Sequence, residues 1–294
     1  MNQGLGNLLM QVGFATHTGR RQQNQDNGLV DESTSLYAVA DGVGGGDSGE
    51  VASASVCQSM QRAVHAGHPL EQAILLAHQS LLGDDISGER GYAASTVVAL
   101  HAHSDEMEVA WVGDSRVYLL RDDLIMQMTE DHSVAQRSTG LSEEEAARIR
   151  HVLTQAVGAA GESGLHVDAY RVPRQAGDVW LMCSDGLHGV VSEERIQEVL
   201  ARRGNSQSKA DELVEIALTN GADDNVTVLV VTDKDGAPHS KATPKRDLSG
   251  EKTRPMPPFA EPNASQSASG RPWRYMALGG ILAALLFLAL AFAL

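Results

Sequence analysis

Three apolar, strand-like runs in this chain each stop at an aspartate flanked by glycine or serine. Leu36 to Ala40 runs into Asp41-Gly42, Val109 to Val112 into Gly113-Asp114-Ser115, and Val179 to Cys183 into Ser184-Asp185-Gly186. Two more acidic spots frame them: Asn24-Gln25-Asp26 near the start and Asp223-Asp224-Asn225 before the last apolar run. A buried strand that delivers an unpaired carboxylate to its end bears a desolvation cost unless a cation or donor meets it. Several such ends, with hardly a basic residue beside them, point to a hard divalent ion held by oxygen ligands. That arrangement suits an enzyme.

The elements that must position these groups are mixed. Strand candidates are 36–40, 96–101, 108–112, 117–120, 179–182 and 226–232, most of them rich in β-branched residues. Helix candidates are 50–66, 70–82, 143–151, 193–203 and 208–220, with Pro69 and Ser192 as helix-start residues. In the first helix Val51, Ala54, Ser55, Gln58 and Arg62 make no clean apolar stripe. The strands between 95 and 120 follow in short succession, which predicts an antiparallel meander and an α+β fold rather than strict βαβ alternation.

At 294 residues and 42% hydrophobic content the chain can build one large core or two small ones. The formal net charge of −15 is unevenly spread. Eight basic residues face five acidic ones from Asp233 onward, leaving −18 on the first 232 residues. Such a surface repels nucleic-acid backbones, which argues against a nucleic-acid partner. Cys57 and Cys183 are too few for a disulfide framework or a thiolate zinc site and read as reduced core residues. No signal peptide is expected, because the first basic residue is Arg20 and Leu8 to Met10 is too short for an apolar h-region.

The other end differs. Residues 233–275 are rich in proline, serine and lysine without apolar periodicity, the composition of a flexible linker. Residues 276–294 carry no charge and as a helix would span roughly 28 Å, at about 1.5 Å per residue, enough to cross a bilayer core. Arg271, Trp273, Arg274 and Tyr275 form an interfacial collar before it. The expected organisation is a body over 1–232, a linker over 233–275 and a transmembrane tail anchor over 276–294. By the positive-inside bias the body faces the cytoplasm, on a single-pass inner-membrane protein.

Gly44-x-Gly46-x-x-Gly49 matches a dinucleotide fingerprint, but residues 85–92 break up in Asp, Gly and Arg where a βαβ unit needs a strand. The wider order of motifs says more. Arg21-x-x-Asn24-Gln25-Asp26, Asp41-Gly42-Val43-Gly44-Gly45, Ala94-Ser95-Thr96, Val112-Gly113-Asp114-Ser115-Arg116, Thr129-Glu130-Asp131-His132-Ser133, Ser184-Asp185-Gly186 and Asp224-Asn225-Val226-Thr227 follow one another. Over residues 10–232 this series resembles the PP2C (PPM) family of metal-dependent serine/threonine phosphatases, in its bacterial form.

The resemblance implies an α-β-β-α sandwich of two antiparallel sheets flanked by helices, with two Mn²⁺ or Mg²⁺ ions at one end. It implies Asp41 as the bridging ligand, Gly42 as a carbonyl ligand, Asp185 and Asp224 as direct ligands, and Asp26 holding ion-bound water. Asp114 would join Asp185 on a third ion, and Arg21 would grip the substrate phosphate. The chemistry is sound in its own right: paired cations lower the pKa of a bridging water and neutralise a phosphomonoester that otherwise repels hydroxide. Arg21 can meet two phosphate oxygens with its planar fork.

One departure stands out. Eukaryotic members often carry histidine where this chain has Val43, and valine cannot protonate a leaving alkoxide; bacterial members also lack that histidine, a metal-bound water could serve in its place, and His17 and His132 read as structural. Residues 138–151 fall where the family has a variable flap. The resemblance implies phosphoproteins as substrates, with a bacterial Ser/Thr kinase or its substrates as counterpart. Two rivals compete with it: a phosphoprotein-binding scaffold that has lost catalysis, and a nucleotide binder built on Gly44 to Gly49.

Overall fold

The computed structural model describes residues 9–44, 48–83, 93–138, 140, 142–149, 151–159 and 164–235. Contacts divide the chain after Lys241. The apolar tail over 276–294 and nearly all of the linker lie outside the described residues, as do Gly45 and Gly46 of the glycine-rich stretch. Among the described residues no helix is long and apolar enough to cross a membrane.

The chain begins β1 (Met10–His17), β2 (Asp26–Asp31), β3 (Leu36–Val43), α1 (Ser48–His65) and α2 (Leu70–Gly83). It continues β4 (Ala94–Ser95), β5 (Val97–Ala102), β6 (Glu106–Val112), β7 (Arg116–Arg121), β8 (Leu124–Gln127), α3 (Val134–Arg137) and α4 (Glu143–Ile149). It closes with β9 (Asp168–Pro173), β10 (Val179–Cys183), α5 (Asp185–His188), α6 (Glu193–Ala201), α7 (Ser206–Thr219) and β11 (Val226–Asp233). Two antiparallel sheets result, in the orders β1-β11-β10-β7-β8 and β2-β3-β5-β6-β9, with β4 added to β3.

Why these runs are continuously apolar is plain from their two faces. Tyr37, Val39, Val98, Leu100, Trp111, Leu119, Trp180 and Leu229 fill the space between the sheets. Their alternate neighbours Leu36, Ala38, Ala40, Ala99 and Ala110 pack under α1 and α2, while Leu181, Cys183, Val228 and Val230 pack under α6 and α7. Strands covered on both faces need no polar alternation. The α1 stripe is Ala52, Val56, Cys57, Met60, Ala63 and Val64, one step round from the residues that read as no stripe, and built of small side chains that let the helix lie close. Cys57 and Cys183 are both free and buried, and burial pushes each thiol up to about 12.

The meander expected between 95 and 120 is corrected. β5 and β6 pair, but β7 pairs with β10 in the opposite sheet. The switch falls at Gly113, whose φ of +110° breaks the strand where a Cβ would stand 2.6 Å from the Thr96 side chain. A tight two-residue turn then links β7 to β8, with both Asp122 and Asp123 at positive φ, the geometry that matches strand twist. Near residues 138–151, Ser142 and Glu145 form a reciprocal capping box ahead of α4: Glu145 accepts from the Ser142 N–H at 2.9 Å, and Ser142 Oγ accepts from the Glu145 N–H at 3.3 Å.

Candidate metal centre

Five aspartates meet at one end of the sandwich. Asp26 opens β2 and Asp41 lies near the end of β3, and the two are direct cross-strand partners. Like charges so placed repel, at Cβ separations of about 4.5–5.5 Å. Asp185 opens α5 immediately after β10, Asp224 lies two residues before β11, and Asp114 sits in the crossing from β6 to β7. The pairing of β10 with both β7 and β11 brings these last three turns to the same end.

The backbone at Asp41 is held firmly. Its N–H donates to Thr96 Oγ1 at 3.2 Å, and its carbonyl accepts from the Thr96 N–H at 2.8 Å and from Ser95 Oγ at 2.9 Å. Thr96 Oγ1 is itself bonded to Ser115 Oγ at 2.8 Å, which ties the β3 end to the Asp114 turn. Gly42 donates its N–H to the Gln25 carbonyl at 3.1 Å. A Cβ on residue 42 would lie 2.1 Å from the Gly49 carbonyl oxygen, so only glycine lets α1 start this close to the strand. Gly49 thus serves packing. The antiparallel pairing of β3 with β2 and β5 is not the parallel βαβ unit that a dinucleotide fingerprint requires.

Asp26 is buried. Its Oδ2 accepts from Ser184 Oγ at 2.8 Å, while Oδ1 has no hydrogen-bond partner among the described residues. Burial raises its pKa to about 6, helped by the charges of Asp185 and Asp224 and opposed by hydrogen bonds from Thr227 and Ser184. Burial also pushes Asp114 up to about 8, with the Asp185 and Asp131 charges adding to it. Asp41 is raised well above the carboxylate range by burial and then by Asp26, Asp185, Asp114 and Asp224. Asp26, Asp41 and Asp114 resist ionising together unless positive charge lies among them. The nearby guanidinium groups do not supply it from within: Arg116 is in a bidentate pair with Asp131, at 2.8 and 2.9 Å, and Arg21 sits at the rim, 60% exposed. Oxygen donors, mutual repulsion and an orphaned buried carboxylate oxygen suit hard divalent cations, so the residues present fit Mg²⁺ or Mn²⁺.

Arg21 Nη2 donates to Asp224 Oδ2 at 2.8 Å, so the guanidinium touches the acidic cluster instead of standing apart. Its loop is fixed by a residue whose role the sequence did not assign. Asn225, only 4% exposed, accepts from the Gln25 N–H at 2.8 Å and donates to the Thr18 and Gln23 carbonyls, both at 2.9 Å. Ser184 is likewise unannounced, bridging Asp26 and the Thr227 N–H. Neither could be told from an ordinary turn residue, because each acts on a segment about 160 to 200 positions away. His188 Nε2 donates to the Asp114 backbone carbonyl at 3.0 Å, which fixes the turn.

Val43 is exposed at the end of β3. His17 Nδ1 accepts from the Gly19 N–H at 2.9 Å. His132 Nδ1 accepts from the Gly113 N–H at 3.3 Å, which leaves Nε2 as the donor to Asp168 at 2.7 Å. Both rings are engaged in holding turns.

Comparison with known proteins agrees with this geometry. Residues 13–155 match the family model described as Protein phosphatase 2C. The chain is 34% identical over 243 residues to the serine/threonine phosphatase stp of Listeria innocua, covering 76% of this chain and 95% of that one. It superposes on the catalytic domain of the serine/threonine protein phosphatase PstP in complex with two manganese ions, with a TM-score of 0.66 and 28% identity over 77% of this chain and 100% of that one. It also superposes on PppA, described as a key regulatory component of T6SS in Pseudomonas aeruginosa, with a TM-score of 0.67 and 27% identity over 76% of this chain and 97% of that one.

Proposed function

This chain belongs to the protein phosphatase 2C family, and from that premise we propose that it is a metal-dependent protein serine/threonine phosphatase that hydrolyses phosphoserine and phosphothreonine on proteins. The observation that carries the proposal is the convergence of Asp26, Asp41, Asp114, Asp185 and Asp224 at one end of the sandwich, with Asp26 and Asp41 directly opposed and a buried Asp26 oxygen left without a donor among the described residues. Its relatives carry the same activity in their names, and one was solved with two manganese ions.

Two Mn²⁺ or Mg²⁺ ions, when bound, supply charge neutralisation of the phosphoryl group and an activated water. Asp41, Asp185, Asp224 and the Gly42 carbonyl would hold them, with Asp26 orienting water and Asp114 sharing a third ion with Asp185. Arg21 binds the phosphate: its exposed guanidinium swings from the Asp224 carboxylate to an incoming phosphoryl group, which is likewise an anion. Val43 has no proton to give, and the His17 and His132 rings are committed to turns. None of these three side chains supplies the proton that the leaving alkoxide takes up.

The linker and apolar tail make the phosphatase a single-pass, tail-anchored protein of the inner membrane with its body in the cytoplasm. The composition of residues 233–275 and the uncharged run 276–294 support this. Tethering raises the effective concentration of phosphoprotein substrates on the same membrane, a Ser/Thr kinase or its targets among them.

The test is phosphate release from a phosphothreonine peptide by the full-length protein, with and without Mn²⁺, beside Asp185→Asn. Metal-dependent release that collapses in the variant is expected. Folded, metal-loaded protein without turnover would replace catalysis by phosphoprotein binding. For the membrane assignment, recovery of the full-length protein in the soluble fraction after gentle lysis would overturn it.

A further inference from the structure

A second cluster of metal-ligating side chains lies away from the acidic centre, where β5 and β6 meet at the opposite end of their sheet. His101 and Glu108 are direct cross-strand partners, and His103 follows in the turn. His103 Nε2 stands 3.0 Å from Glu108 Oε2, and His101 Nδ1 stands 3.9 Å from the same oxygen. The three donors all lie within 4.8 Å of one another, with the imidazole centroids 4.3 Å apart. Two ligands about 2.0–2.1 Å from a tetrahedral zinc are roughly 3.3 Å apart, so these separations bracket what one ion needs. β5 carries residues 97 to 101 from the Asp41 end to this one, a distance of about 13 Å at roughly 3.3 Å per residue. The two clusters are separate.

The ligand chemistry is set by the surroundings. His101 Nδ1 is buried with no hydrogen-bond partner among the described residues. Burial, and then the neighbouring His103, lower the His101 pKa, which keeps a lone pair on the ring. Glu108 is 4% exposed, and its Oε1 is held by the Leu70 N–H at 3.0 Å, which aims Oε2 at the histidines. Burial opposes its ionisation, but the hydrogen bonds from His103 and Leu70 outweigh it. Arg171 approaches Oε2 at 3.5 Å and also contacts Glu106 at 3.6 Å, so it keeps a carboxylate partner if a cation takes its place.

We infer that His101, His103 and Glu108 form a binding site for a borderline divalent cation, Zn²⁺ above all, with water completing the coordination. Two imidazoles and one carboxylate favour Zn²⁺ over the Mg²⁺ or Mn²⁺ that suit the all-oxygen centre. The ion staples the β5–β6 hairpin to α2, whose first N–H orients Glu108.

The experiment uses full-length protein with excess Mn²⁺ present to occupy the acidic centre, titrated with Co²⁺ as a spectroscopic stand-in for Zn²⁺. One equivalent is expected to give the intense visible bands of a four-coordinate nitrogen-ligated ion. H101Q and H103Q should lose those bands and weaken Zn²⁺ binding by roughly tenfold or more, while D185N keeps them. Absence of the bands in the parent protein, or their survival in both histidine variants, would overturn the inference. X-ray absorption of the Zn²⁺-loaded parent protein needs no variant: two imidazole nitrogens at about 2.0–2.1 Å are expected, and a shell of oxygens alone would refute the site.

Discussion

Asn225→Ala is the most informative single perturbation of the loop that carries Arg21. The side chain is buried and makes three hydrogen bonds of 2.8, 2.9 and 2.9 Å, to Gln25, Thr18 and Gln23. Each such bond contributes about 0.5–1.5 kcal/mol net, and a partner left buried and unsatisfied costs about 1–3 kcal/mol. Residues 20–23 of this loop are exposed and Thr18 is half-buried, so the lower end of that range applies to the Thr18 and Gln23 carbonyls. A loss of about 2–4 kcal/mol follows. For a body of this size each kcal/mol shifts Tm by about 2–4 °C, so Tm should fall by roughly 5–15 °C. Because the loop also places Arg21 and Asp26, kcat/KM for a phosphopeptide should fall further than unfolding alone explains. Thermal unfolding and steady-state kinetics below the transition separate the two effects. A variant within about 0.5 kcal/mol of the parent, with unchanged kinetics, would refute the claim that Asn225 clamps this loop.

Arg21→Lys keeps the charge but loses the planar fork, and should lower kcat/KM by about ten- to a hundredfold, the worth of one charge-assisted hydrogen bond, with little change in Tm. Gly42→Ala places a Cβ 2.1 Å from the Gly49 carbonyl, so the β3–α1 junction must shift; low yield of folded protein, or strongly reduced Mn²⁺ affinity, is expected in an expression and binding comparison. Asp31 is 7% exposed; burial opposes its ionisation, but hydrogen bonds from Ser33, Gln61 and His65 hold its pKa below the usual range. A depressed carboxylate stabilises the fold above its unfolded value, about 3.9, and loses that contribution as pH falls through the folded value. Asp31→Asn should therefore cost about 1–3 kcal/mol at neutral pH, with the gap to the parent protein closing below about pH 4 in denaturant titrations.

Two of the strands that carry the centre, β3 and β10, were legible because both their faces are covered, whereas β2, which Asp26 opens, was not among the strand candidates, its residues being only partly buried. Leu36–Ala40 and Val179–Met182 show as unbroken apolar runs, and an aspartate at such an end invites a cation. β9 was not legible: Asp168–Pro173 alternates exposed and half-buried residues at a sheet edge, with few apolar side chains to mark it. β1 was missed for a related reason, since Met10–His17 is mostly half-buried and Gly13 interrupts it where the strand meets the Ser206 backbone. The jump of β7 to the other sheet depends on one glycine torsion that spacing does not reveal. Within the centre the carboxylates announced themselves by position, whereas Asn225 and Ser184 act only through partners distant in sequence.

The acidic end of the sandwich is built to hold divalent cations. Calorimetric titration of Mn²⁺ into metal-stripped full-length protein, beside Asp41→Asn, tests it directly. Two ions bound per chain in the parent protein, and a loss of at least one of them in the variant, is the predicted result. An absence of Mn²⁺ binding, or identical binding by Asp41→Asn, would contradict it.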